Sequence, residues 1–161
     1  MRRLFALSAL ALAACSGGEA RNVPPAEITA FKPVPGQPYD CTLFLVGNNG
    51  EAVAEADGDA LLFVTLADDR ANRGVVSYAG ETLDLYPIDT PVFGGGPVEA
   101  FYAIREFPAF DVRVDLTPRG TPYREADGQR QNYSATIEMR RFENREPVVM
   151  TERAAVGSCR T

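Results

Sequence analysis

Two stretches set the fold class. In Phe110-Asp-Val-Arg-Val-Asp-Leu116 apolar and charged residues alternate without a fault. Phe110, Val112, Val114 and Leu116 fall on one side, Asp111, Arg113 and Asp115 on the other. Tyr133-Ser-Ala-Thr-Ile-Glu-Met139 repeats the pattern. Side chains alternate along an extended chain, so a period of two puts one face on a core and the other in water. That is the mark of half-buried antiparallel strands. Less regular strand candidates are 39–46, 51–56, 60–66, 74–79, 82–86, 98–106 and 147–156. After residue 38 a helical turn is expected only at 52–59 or 97–107. Asn48-Asn49-Gly50, Ala79-Gly80-Glu81 and Glu143-Asn144-Arg145 supply turn chemistry between strands. About nine short strands predict an all-β fold, an antiparallel β-sandwich or small barrel of about eight to nine strands.

Two long segments interrupt the pattern. Residues 87–97 (PIDTPVFGGGP) hold three consecutive glycines, and residues 117–132 (TPRGTPYREADGQRQN) are polar and charged. Both read as loops, and long loops on a rigid β scaffold are where binding usually sits. Phe93, Gly95, Tyr123 and Arg124 are the candidate binding residues. Glu-Ala-Asp-Gly occurs at 55–58 and again at 125–128 with unrelated flanks. This reads as one turn solution used twice, since Asp-Gly is a favoured turn pair.

The amino-terminal end carries an address. Met1-Arg2-Arg3 precedes an apolar run from Leu4 to Ala14, broken only by Ser8. A basic flank, a short apolar core and small residues make a secretory signal peptide over 1–14. Its eleven apolar-run residues span about 16 Å as a helix, short of the roughly 30 Å of a hydrocarbon core. Leu12-Ala13-Ala14-Cys15 resembles the lipobox of bacterial lipoproteins. The resemblance implies cleavage before Cys15, a diacylglycerol thioether on its sulfur and acylation of the new amino terminus. Ser16, where an Asp resembles an inner-membrane retention signal, implies the outer membrane facing the periplasm. Residues 15–38 are Pro-rich and read as a tether favouring extended polyproline II, although Ile28 and Phe31 can dock on the domain. The folded domain is expected over 39–161.

Removing residues 1–14 leaves 147 of the 161 residues, one domain plus the tether. Arg2 and Arg3 leave with the signal, so 14 basic and 22 acidic residues remain, net −8. That charge argues against nucleic acid and against an electrostatic hold on anionic lipid, and suits a cationic or other envelope partner. With Cys15 lipidated, Cys41 and Cys159 remain in an oxidising compartment and are expected to form a disulfide joining first and last strands. The chain has no histidine, which removes Ser-His-Asp and Cys-His catalysis and histidine-ligated zinc. Gly94-Gly95-Gly96 lacks the lysine and helix of a phosphate loop. Glu55, Asp57 and Asp59, and the pair Asp68-Asp69, lack the spacing of an EF-hand and read as solvated turns. Asp111 and Asp115 lie about 13 Å apart on one strand, too far for paired-acid hydrolysis, and cross-strand pairing with Arg140 is the expected use. No cofactor or metal is expected.

The lipobox, the small all-β domain and the cysteine pair resemble the lipoprotein inhibitors of C-type lysozyme. The resemblance rests on Tyr39-Asp40-Cys41 and Gly157-Ser158-Cys159, and implies a small barrel and an inhibitory role. The family's serine- and lysine-bearing loops have no counterpart, and Lys32, the sole lysine, stands in the tether. The functional expectation is a non-catalytic binding or structural module of the envelope, anchored to the membrane by lipid. The alternatives are a carrier of an apolar ligand inside a barrel, a hydrolase inhibitor, and a histidine-independent enzyme.

Overall fold

The computed structural model describes residues 27–47, 49–53, 60–67, 69 and 71–161. The signal peptide, the lipobox with Cys15, tether residues 15–26, Asn48, residues 55–59 and Asp68 lie outside the described residues. The described chain is all-β. Nine strands follow in order: β1 Ile28–Thr29, β2 Tyr39–Leu45, β3 Leu61–Leu66, β4 Gly74–Tyr78, β5 Glu81–Pro87, β6 Val98–Ile104, β7 Phe110–Glu125, β8 Gly128–Glu143 and β9 Glu146–Arg160. Successive strands from β2 to β9 pair antiparallel, and β9 returns to pair with β2, which closes an up-and-down barrel of eight strands. Between sandwich and barrel, this closure selects the barrel and removes the open sheet edges that a sandwich keeps.

The alternation read from the sequence sets the two faces. Val112, Val114 and Leu116 of β7 point inward, opposite Met139, Ile137 and Ala135 of β8, and all are buried. Arg113, Asp115 and Glu138 face outward. Charge outside and apolar side chains inside is the reverse of a barrel that spans lipid. An eight-stranded barrel is just wide enough for its side chains to fill. Here Leu43, Phe63, Tyr102, Tyr133 and Ile137 are among the large side chains that fill it, with Phe63 edge-on to Tyr102 at 5.4 Å. A cleft beside Tyr78, Ile104 and Phe107 has about 10 Å³ of free space, about enough for one water.

Cys41 and Cys159 form the expected disulfide, directly opposite each other on β2 and β9. They sit at the seam where the first barrel strand meets the last. Two residues along, Gly157 passes so close to β2 that a Cβ there would lie 1.8 Å from the Thr42 carbonyl oxygen. The turns at Ala79-Gly80 and Asn144-Arg145 place both central residues at positive φ (54° and 82°, 51° and 73°), the geometry of a two-residue hairpin whose twist matches its strands.

Four expectations change. The tether does not run free to Pro38: Ile28 and Thr29 pair with Tyr78 and Ser77 of β4, and Phe31 bridges Leu61. Near this end β3 leaves β4 at Val76 and β2 leaves β9 at Ala155. β1 enters the gap, with its Ile28 carbonyl accepting from Arg153 Nε at 3.2 Å and Ile28 itself 1% exposed. The segment 117–132 is not a loop but the long β7–β8 hairpin, because its backbone goes on pairing past the end of the apolar alternation. The helical turn allowed at 97–107 is strand β6 over most of its length. Of the candidate strand 51–56, the described part makes one bridge, Val46 to Ala52.

Candidate functional site

The antiparallel order gives the barrel two distinct ends. At the hairpin end lie the turns at 79–80, 105–109 and 144–145, together with Glu27, where the described chain begins. At the loop end lie residues 88–97, the turn at 126–127 and the carboxyl terminus of β9. All four candidate binding residues fall at the loop end, but in different roles. Phe93 is half-buried and packs on the core. Its neighbour Val92 is 78% exposed, and Ile88 is also exposed. Gly95 (φ 82°) brings the loop against the β7–β8 hairpin: a Cβ there would sit 3.8 Å from Pro122. Beside Pro122, Tyr123 and Arg124 line an open depression of about 470 Å³ with Gly128 and Gln129. The two segments nominated from sequence therefore meet at one end.

A bulge shapes that meeting. Between Arg119 and Tyr123, β7 carries three residues where β8 carries only Gln131. Gln131 is fully buried, and its Nε2 donates to the carbonyls of Arg119 (3.0 Å), Gly120 (3.4 Å) and Asn132 (2.8 Å). It supplies donors that the interrupted ladder withholds from those carbonyls. Burial raises the Tyr133 hydroxyl pKa, and the backbone of Gly95 beside it pulls the other way.

An ion cluster closes the base of this end. Arg130 reaches Glu125 (3.0 Å), Asp127 (2.8 Å) and the Tyr39 carbonyl (3.3 Å). Arg160 reaches Asp127 and Asp40, both at 3.1 Å. The guanidinium of Arg130, and then that of Arg160, hold the Asp127 carboxyl down at about 2. The cluster ties the ends of β2, β7, β8 and β9 together through side chains. Sequence reading missed Gln131, Arg130 and Asp127. For Gln131 the signal is a lone polar residue at an inward position, which shows only once the strand is known to continue past Asn132; Arg130 has the outward parity and Asp127 lies in the turn, so their pairing shows only in the fold.

Several acidic residues of the barrel wall are held by arginines. Asp111, 3% exposed, takes a bidentate contact from Arg140 (2.9 and 2.6 Å) as expected, and Arg140 also lies 4.9 Å over the Phe101 ring. Asp115 departs from the expectation and pairs with Arg113 at 3.0 Å. Arg113 also reaches Glu99 (2.8 Å) and Glu138 (3.6 Å), because the pleat places these four side chains on one outer face. Asp69 accepts from the Ala71 amide (3.0 Å) and from Arg73 (2.5 Å), so it caps the turn between β3 and β4. Such cross-strand pairs help to hold strands in register.

By fold the chain is a disulfide-closed up-and-down barrel with an accessory strand in its wall. No family model, curated protein or solved structure matches it.

Proposed function

We propose that this chain is a lipid-anchored protein of the bacterial envelope that binds another envelope component at the loop end of its barrel, without catalysis. The observation that carries the reading is the meeting of the 88–97 loop with the β7–β8 hairpin. Gly95 meets Pro122 there, beside an open depression lined by Tyr123 and Arg124, and Val92 of the same loop is exposed. Aromatic and arginine side chains beside exposed aliphatic ones are the usual anchors of a protein interface. The address rests on Leu12-Ala13-Ala14-Cys15. Several acyl chains at about 0.8 kcal/mol per buried methylene hold a protein to a membrane without a spanning helix. The chain emerges from the opposite, hairpin end, so the loop end is left free to meet a partner. The net charge of −8 left after processing suits a cationic one.

The test is crosslinking in the intact envelope with the full chain and with a variant carrying Val92→Ala, Tyr123→Ala and Arg124→Ala. Val92 replaces Phe93 in this set because Phe93 packs on the core. The variant is expected to lose the wild type's crosslinked partner while keeping its folded yield. The same partner at the same yield overturns the reading. Inhibition of a C-type lysozyme by the purified chain is the direct assay of the inhibitor alternative.

A further inference from the structure

We propose that the tip of the β8–β9 hairpin is a membrane-contact surface, seated among the headgroups of the bilayer that holds the anchor. This rests on the lipid-anchor reading above. Phe142, Val148 and Val149 are 43%, 40% and 48% exposed, an unusual concentration of large apolar side chains on one tip. The ladder pairs Phe142 with Pro147, Arg141 with Val148 and Arg140 with Val149. Phe142, Pro147 and Val149 therefore share the outer face, and Val148 lies on the other. The outer face carries the apolar strip and the other face sets Val148 opposite Arg141 and Glu143 opposite Glu146, so the strip meets an interface while the charged groups stay in water.

The path of the chain says which interface. β2 leaves β9 at Ala155, while β7 stays beside β8 as far as Arg141 and the Phe142 amide donates to the Ala109 carbonyl, so β9 is uncovered on one side here and the hairpin reaches past the wall from Glu143 to Glu146. Glu27, where the described chain begins, forms an ion pair with Arg153 on this same ribbon. Val148 lies five residues further out, about 17 Å along the strand. Eleven residues, 16–26, separate Glu27 from Cys15, a reach of about 40 Å at most. An anchor on Cys15 thus tethers the barrel by the end that bears the apolar tip. The tip charges balance: Arg141 pairs with Glu143, and Arg145 neighbours Glu146. The contact needs no anionic lipid, which fits a chain whose net negative charge would be repelled by it.

The chain contains no tryptophan, so one introduced residue reports alone. Full-length Phe142→Trp would be reconstituted in vesicles of phosphatidylethanolamine and dibrominated phosphatidylcholine, with Val149→Trp as a second reporter and Val92→Trp at the loop end as control. Tip emission is expected to move to the blue and to be mostly lost to bromine quenching, while the control keeps its emission. The mass of the amino-terminal peptide reads acylation of Cys15 separately. An acylated, vesicle-bound protein whose two tip reporters escape quenching overturns the hairpin proposal and leaves the anchor standing. Quenching at the tip without acylation overturns the anchor and leaves the hairpin contact standing. A chain neither acylated nor quenched overturns both.

Discussion

Asp127 shows how one exposed side chain can make the fold acid-sensitive. Its carboxyl receives Arg130 and Arg160, which belong to β8 and β9, and the pair holds it at about 2 against an ordinary 3.8. A carboxyl with a folded pKa below its unfolded one stabilises the fold at pH above the unfolded value. That contribution fades as pH falls through the folded value, because the unfolded chain then binds the proton first. The window is therefore about pH 4 down to about pH 2. In Asp127→Asn the melting temperature is expected to sit a constant amount below wild type above pH 4, with the gap closing towards pH 2. Thermal melts across that range check it. A gap that persists at pH 2 would mean that the asparagine disrupts the turn rather than the ion cluster. Asp69 is also lowered, by the Ala71 amide and Arg73, so the variant keeps some acid dependence of its own.

At the scale of the element, β1 carries weight beyond its two residues. Ile28 is buried between β4 and β9 where β3 and β2 have run out. Ile28→Ala removes its apolar contacts from a filled core and is expected to cost about 2–4 kcal/mol, in line with other large-to-small core changes. A tether residue would cost almost nothing. Urea unfolding of the two proteins separates these outcomes. This strand also marks where sequence reading fails. Ile-Thr between a charged, Pro-rich approach and a Pro-rich exit has no alternation to announce it, and only the gap left by two distant strands makes it a strand. Residues 117–132 fail for a related reason. Past Leu116 the apolar alternation ends while the backbone ladder continues. Strands 110–116 and 133–139 were legible from their period of two, and the less regular ones as short apolar runs between turn residues: the predicted 39–46, 60–66, 74–79 and 82–86 all fall within a residue of the strands found, although Leu61–Thr65 is buried on both faces. Of the candidate site, the two segments were legible but their meeting was not, since Gly95 reaches Pro122 only because β7 continues as a strand beyond its pairing with β6.

At the scale of the whole molecule the seam decides stability. Every other neighbouring pair of barrel strands is joined by a connection short enough to form early, whereas β2 and β9 close across 118 residues. The entropy of that closure is the largest in the fold, and the Cys41–Cys159 bond removes it from the unfolded chain. For a loop of this length the chain-entropy model allows about 5 kcal/mol, as an upper figure. The replacement of both cysteines by alanine is expected to lower stability towards that amount without altering the hairpins, whose contacts are local. Hydrogen exchange distinguishes this from a general loosening. Amides of the β2–β9 ladder, from Cys41 to Leu45 and from Ala155 to Cys159, are expected to lose protection first, while those of Val112–Leu116 and Ala135–Met139 keep theirs until global unfolding. Equal loss across all strands would mean that the barrel opens only as a unit and that the bond stabilises it without guarding a particular seam. Earlier loss in β7 and β8 would place the weak point elsewhere and remove the seam from this role.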